Sequence, residues 1–285
     1  MTVLFDGIAS GMLLFLISVG LSVTLGLMNF VNLAHGAFAM VGGYVCIVLL
    51  DRLGLPFLAS LPIVFLATGL LGLVLERLLY RRLYGASPLD QVLFSLGLVF
   101  VAMSGANYLF GSQQQPLHLP PSLSGQLHLA SLDLGVYRLF LVGIGLVLAG
   151  GLQWLVARTR FGARLRAAVD NPRAARGLGI DVDRVFAISF ALGSALAGLG
   201  GALGVDMLGL DPAFPITYIV YFLIVVAVGG AGSITGSLVA ALLLGICDVA
   251  GKYYVPQVGA FVIYAVMVLT LIVRPQGLFG RGAAR

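Results

Sequence analysis

The sequence predicts an all-α fold, a polytopic bundle of membrane-spanning helices. Three observations carry this. Of 285 residues, 60% are apolar and only 9% charged, against roughly 25% charged in an average soluble domain. The mean hydropathy is +1.08. Between Asp6 and Asp51 no Lys, Arg, Asp or Glu occurs, a gap about twice the ~20 residues one helix needs to cross hydrocarbon. So few charges cannot cover a water-soluble surface, which excludes a globular cytosolic enzyme, a nucleic-acid binder and a disordered chain. The length suits one membrane domain over residues 1–285, with about 8 to 10 crossings.

The first gap divides into two spans, Gly7–Met28 and Gly36–Leu50. The join from Asn29 to Gly36 has no Pro and no charge, too apolar for an ordinary exposed loop, so a broken or re-entrant helix is expected there. Arg52 to Glu76 encloses a third span and Asp90 to Phe110 a fourth. Gln113 to Leu134, with Pro120-Pro121 inside, is polar and turn-rich and reads as an exposed loop. Arg138–Arg158 and Arg184–Asp206 bracket a fifth and a sixth span. Asp211–Asp248 is uncharged but interrupted by Gly229-Gly230-Ala231-Gly232-Ser233, which predicts two short or half-spanning helices with a break near 229–236. Lys252–Arg274 brackets the last span.

Loop charges set the orientation. Glu76–Asp90 carries Arg77, Arg81 and Arg82, Arg158–Arg184 has seven Arg against three Asp, and the tail carries Arg274, Arg281 and Arg285. These three segments are expected in the cytoplasm. Gly111–Gly135 and Asp206–Thr217 are expected outside. Whether the N-terminus lies inside or outside depends on whether both early spans cross fully. No Lys or Arg precedes Arg52, so a cleaved signal peptide is not expected and Met1 should remain. Cys46 and Cys247 lie in apolar runs and read as packing residues, without metal or disulfide spacing.

Two segments stand out. Within 158–184, Asn171 can cap a helix through its side-chain oxygen, Pro172 suits the first helical position, and Arg173-Ala174-Ala175-Arg176 continues it. Gly177 or Gly179 can then stop it in a left-handed conformation. Two readings stand: a basic loop that fixes topology and meets lipid phosphates, or a rigid docking helix whose small Ala174 and Ala175 let a partner approach. In the second segment Asn29, Asn32 and His35 fall three residues apart at membrane depth. Burying amide and imidazole groups in lipid without partners costs several kcal/mol. They are expected to line or brace a translocation path beside Gly36, or to satisfy backbone groups freed at the helix break.

Other features point to packing. Gly193, Ala197 and Gly201, with Ser194 and Gly198, form ridges of small residues that suit close helix contact. Asp248 and Lys252 are spaced to pair near the outer face. Gly245 to Gly251-Lys252-Tyr253 is one residue too long for a phosphate loop and lacks its Ser/Thr. No nucleophile–base set is apparent, and no cofactor or metal is expected.

The chain resembles a known family through Gly26-Leu27-Met28-Asn29-Phe30-Val31-Asn32-Leu33-Ala34-His35-Gly36, Asn171-Pro172-Arg173-Ala174-Ala175, Gly179-Ile180-Asp181-Val182-Asp183-Arg184-Val185, Gly229 to Gly236, and Arg274-Pro275-Gln276-Gly277-Leu278-Phe279-Gly280. These motifs, in this order, resemble LivH-type permeases, the membrane subunits of bacterial branched-chain amino-acid ABC importers. Leu33 and Ala37 depart from the common family pattern. The resemblance implies an inner-membrane transport subunit without catalytic activity of its own. It implies a second related permease, two cytoplasmic ATPase subunits and an external substrate-binding protein. It also implies that Asn171 to Gly179 is the segment an ATPase cleft grips. A permease for urea, an amide or another amino acid is the second reading, and a passive channel or secondary carrier the third. A coupled carrier usually needs a mid-span Asp, Glu or Lys, and here the acidic residues fall at span ends.

Overall fold

The computed structural model describes residues 2–280 except 29, 31, 118, 130 and 131. Of the residues singled out above, Met1, Asn29, Val31, Arg281 and Arg285 lie outside the described residues. The fold is an all-α polytopic bundle with one small hairpin. Among the described residues, six helices are long and apolar enough to cross a membrane: α1 (Thr2–Met28), α3 (Phe57–Leu78), α4 (Pro88–Phe110), α5 (Val136–Arg158), α8 (Val182–Leu208) and α10 (Ile234–Tyr254). Three apolar helices are shorter: α2 (His35–Asp51), α9 (Phe214–Gly229) and α11 (Gly259–Val273). Two more, α6 (Arg160–Asp170) and α7 (Pro172–Gly177), lie between α5 and α8.

Helix starts follow local capping chemistry. The side chains of Ser87, Thr159, Asn171, Asp181 and Ser233 each accept a hydrogen bond from the amide three residues on, satisfying donors that a helix N-terminus leaves open. At the centre, α1 and α8 are buried along most of their length, and α8 packs on α1, α2 and α3. Small residues permit this. A Cβ on Gly42 of α2 would run into the Gly198 backbone of α8, and one on Gly201 into the Ala39 carbonyl. The ridge of small residues is therefore a helix-packing surface, as expected. Cys46 is buried beside Ser60.

The breaks fall where the sequence places them. α1 ends at Met28 and α2 begins at His35, while α9 ends at Gly229 and α10 begins at Ile234. Gly230 and Gly232 turn the second break with φ of +92° and +81°, a region that favours glycine. Residues 277–280 fold back onto this turn: the Leu278 amide donates to the Val228 carbonyl at 2.7 Å and Phe279 to Gly229 at 3.2 Å.

Three expectations need correction. The second helix of the 211–248 stretch is not short: α10 has 21 residues and runs through Asp248 to Tyr254. Asp248 does not end it because Lys252, one turn on, donates to its Oδ2 at 2.7 Å. The exposed loop before α5 contains an antiparallel hairpin of β1 (Gln126–Leu129) and β2 (Leu132–Gly135). The basic segment holds two helices rather than one, because Phe161, Leu165, Ala168 and Val169 give α6 an apolar face that packs towards α8.

The two ends of the bundle differ in charge. One carries Arg77, Arg81, α6 and α7. The other carries the hairpin and the turn after α8, and there the loop between α4 and the hairpin meets that turn, the Gln115 amide donating to the Leu210 carbonyl at 2.8 Å. Gly7 and Gly11 of α1 contact Ile246 and Ala241 of α10, so α1 and α10 run antiparallel.

Candidate functional site

The helix break between α1 and α2 is built around two buried polar side chains. Asn32 and His35 are 1% and 2% exposed. Asn32 Oδ1 accepts from the Ala34 amide at 3.1 Å and from the Tyr80 hydroxyl at 3.1 Å. His35 Nε2 lies 2.7 Å from the Ile17 carbonyl, in the middle of α1. The Leu33 amide donates to Ser95 Oγ of α4 at 3.2 Å. The break is thus stitched to α1, to α4 and to the turn after α3. Gly36 abuts Pro215 at the start of α9, where a Cβ would come within 3.0 Å of the Pro215 Cα. Two shortened helices, α2 and α9, therefore begin side by side within the bundle. Of the expected set, the structure brings together Asn32, His35 and Gly36, while Asn29 lies outside the described residues. Their hydrogen bonds brace the break. Asn32 satisfies a backbone amide at the break, that of Ala34, whereas His35 meets a carbonyl in the middle of α1.

Tyr80 and Tyr84 extend the same cluster. Both lie on or beside the 3-10 turn Tyr80–Leu83 that follows α3, and Phe30 packs edge-on against both rings. Burial pushes both phenols well above their ordinary range, with Glu76 adding to the effect at Tyr84. Both hydroxyls therefore stay donors at neutral pH, Tyr80 to Asn32 and Tyr84 to Glu76 Oε1 at 2.7 Å. The sequence reading passed over these tyrosines. Their only local signal is an aromatic pair inside an Arg-rich turn.

The second candidate is α7. Asn171 Oδ1 accepts from the Ala174 amide at 3.0 Å, Pro172 holds the first turn, and Gly179 at φ +79° reverses the chain after the helix. Gly179, not Gly177, is the left-handed stop. Asn171, Pro172, Arg173 and Ala174 are exposed. Ala175 is not: it is 2% exposed, packed with Leu165, Ala168, Val182 and Val185. The expectation of two outward alanines is corrected to one, because the face towards α6 and α8 needs a small apolar residue to seat the helix.

A third feature is an apolar cavity of about 420 Å³ between α2 and α4, lined by Met40, Tyr44, Val48, Ala102 and Phe110 among others. It has no charged wall, so it suits an apolar group rather than a zwitterion.

Apolar helices broken inside the bundle, with a capped helix held out at the basic end, define a membrane transport subunit. Comparison with known proteins narrows this class. The chain belongs to the family of permease components of branched-chain amino acid transport systems, whose family model matches residues 3–271. It is 25% identical to the high-affinity branched-chain amino acid transport system permease protein BraD of Pseudomonas aeruginosa, over 98% of this chain and 95% of that one. It is 30% identical to a probable branched-chain amino acid transport permease protein LivH of Methanocaldococcus jannaschii, over 94% of this chain and 89% of that one. It is also 27% identical to the LivM permease protein of Escherichia coli, over 94% of this chain and 68% of that one. No solved structure gives a significant match. The chain is thus a multi-pass membrane permease component rather than an enzyme.

Proposed function

We propose that this chain is the permease subunit of an ABC importer for branched-chain amino acids in a bacterial inner membrane. In this reading it pairs with a second, related permease. Two ATPase subunits dock in the cytoplasm on the 158–184 segment, and an external binding protein delivers substrate. Near-full-length relatives named as branched-chain amino acid permeases support the substrate class. The observation that carries the docking role is α7: a capped helix with Asn171, Pro172, Arg173 and Ala174 outward and Ala175 inward against α6 and α8. An ATPase cleft gripping its outer face would push on α8 through its inner one. Asn32, His35 and Gly36 hold the break between α1 and α2, and this break, with the start of α9, borders the translocation path. Asn29 belongs to the same motif.

The test is uptake of labelled leucine by a reconstituted complex of this chain, its partner permease, the ATPase subunits and the binding protein. Uptake is expected only with ATP, and the chain alone should not hydrolyse ATP. Uptake of urea or an amide in place of leucine would replace the substrate assignment. Uptake of leucine by the chain alone, without ATPase subunits, would favour a passive channel or secondary carrier.

A further inference from the structure

We propose that Asp183 is the joint through which movement of α7 reaches the membrane helices, a positioning residue for coupled transport; this rests on the docking role assigned to α7. Asp183 sits in the first turn of α8. Its Oδ1 accepts from Arg176 Nη2 of α7 at 3.0 Å. Its Oδ2 pairs with Arg81 Nη2, on the turn that follows α3. Each carboxylate oxygen is committed to a different element, so α7, α8 and the end of α3 share one charged group.

Stability is a poor explanation for this arrangement. The three side chains are 40% to 59% exposed, and exposed ion pairs add little to folding. What the junction supplies is direction. Guanidinium groups present planar, fixed donors, so each arm constrains angle as well as distance. The junction also borders a polar cavity of about 200 Å³ lined by Glu76, Arg77, Asp181 and Arg184 as well as by two of its own members. Its side chains therefore have room to rearrange as α7 shifts.

The receiving elements transmit displacement well. α3 and α8 pack along each other, and a Cβ on Gly72 of α3 would strike Ser194 of α8. A close-packed contact of this kind passes on a shift rather than absorbing it. A push on α7 thus reaches α8 through Arg176–Asp183 and α3 through Asp183–Arg81. From there it reaches Tyr80, the residue beside Arg81 that holds Asn32 at the helix break. The two candidate sites are joined by this route.

Links in series make a specific prediction. Arg176→Gln, Arg81→Gln, the two combined, and Asp183→Asn are each assembled with ATPase subunits, partner permease and binding protein. All four variants should lose at least about fivefold in leucine uptake per ATP hydrolysed. The double variant should be no worse than either single one, and ATPase subunits should co-purify in wild-type amounts. Asp183→Glu should restore part of the ratio, since it keeps the charge. Unchanged uptake per ATP in Asp183→Asn would overturn the proposal. Additive losses in the double variant would also overturn it, by marking the arginines as independent surface contacts. Failure of ATPase subunits to bind the unsubstituted chain would remove the docking role itself, and the joint with it.

Discussion

Arg138, at the start of α5, is ion-paired with Asp6, near the start of α1. The beginning of the chain therefore lies at the same end of the bundle as the hairpin, opposite α6 and α7. The sequence leaves the side of the N-terminus open, and this pair ties it to whichever side the hairpin occupies. α1 runs towards the basic end, and α2 finishes near Pro120 at the hairpin end.

This topology can be read by cysteine labelling in a background without Cys46 and Cys247. Leu4→Cys and Gln113→Cys should both react with an impermeant thiol reagent added to intact cells, since Leu4 is 46% exposed and Gln113 is exposed. Arg166→Cys should react only after the cells are opened. Labelling of Arg166→Cys from outside, to the extent seen at Gln113→Cys, would reverse the orientation.

His35→Ala should cut transport by at least about tenfold, equivalent to ~1.4 kcal/mol in a rate barrier. The substitution removes the contact between α2 and the Ile17 carbonyl of α1 and leaves that carbonyl without its imidazole partner. Assembly with the partner subunits should survive, because no bulk is added. Uptake and co-purification measured on the same preparation check both halves, and normal uptake would end the assignment of His35 to the path.

The two alanines of α7 should behave differently. Ala174→Trp adds bulk on the exposed side, so the chain should keep its thermal midpoint while the ATPase subunits are lost on purification. Ala175→Trp forces an indole into a filled cluster and should destabilise the basic end by about 1–3 kcal/mol or more. Equal thermal midpoints for the two variants would contradict the burial of Ala175.

Gly42 and Gly143 offer a test of packing. Gly42→Leu should lower the thermal midpoint clearly, since α2 and α8 would have to separate and overpacking costs about 1–3 kcal/mol. Gly143→Ala, on α5 where nothing lies within 4 Å, should be neutral or stabilising by up to ~1 kcal/mol. A midpoint for Gly42→Leu within a degree of wild type would mean that the contact with Gly198 can yield.

Much of the bundle is written locally, and the exceptions share a cause. Charge-free runs and glycine clusters are properties of neighbouring residues, so the spans and both breaks are readable from them. So is α7, because Asn171 and Pro172 act on their own backbone. The inward turn of Ala175 is not readable, since the face of a six-residue helix is decided by what it leans on. α6 had a signal, with Phe161, Leu165, Ala168 and Val169 at helical spacing, but its arginines make the segment look like a loop. The continuation of α10 through Asp248 depends on a lysine one turn away. Asn32 could be flagged as a buried amide, but Tyr80, Arg81 and Asp183 leave no local trace of the contacts they make with distant residues.

The strap formed by Leu278 and Phe279 has a consequence for the order in which this protein is made. The carbonyls of Val228 and Gly229 at the end of α9 receive their donors from residues synthesised some fifty positions later. While the ribosome is still translating α10 and α11, that helix end is incomplete. Only translation through Phe279 supplies the missing amides. The finished turn therefore marks a chain that has been made at least that far, and a nascent chain cut short after Val273 would present membrane quality control with an unfinished helix end.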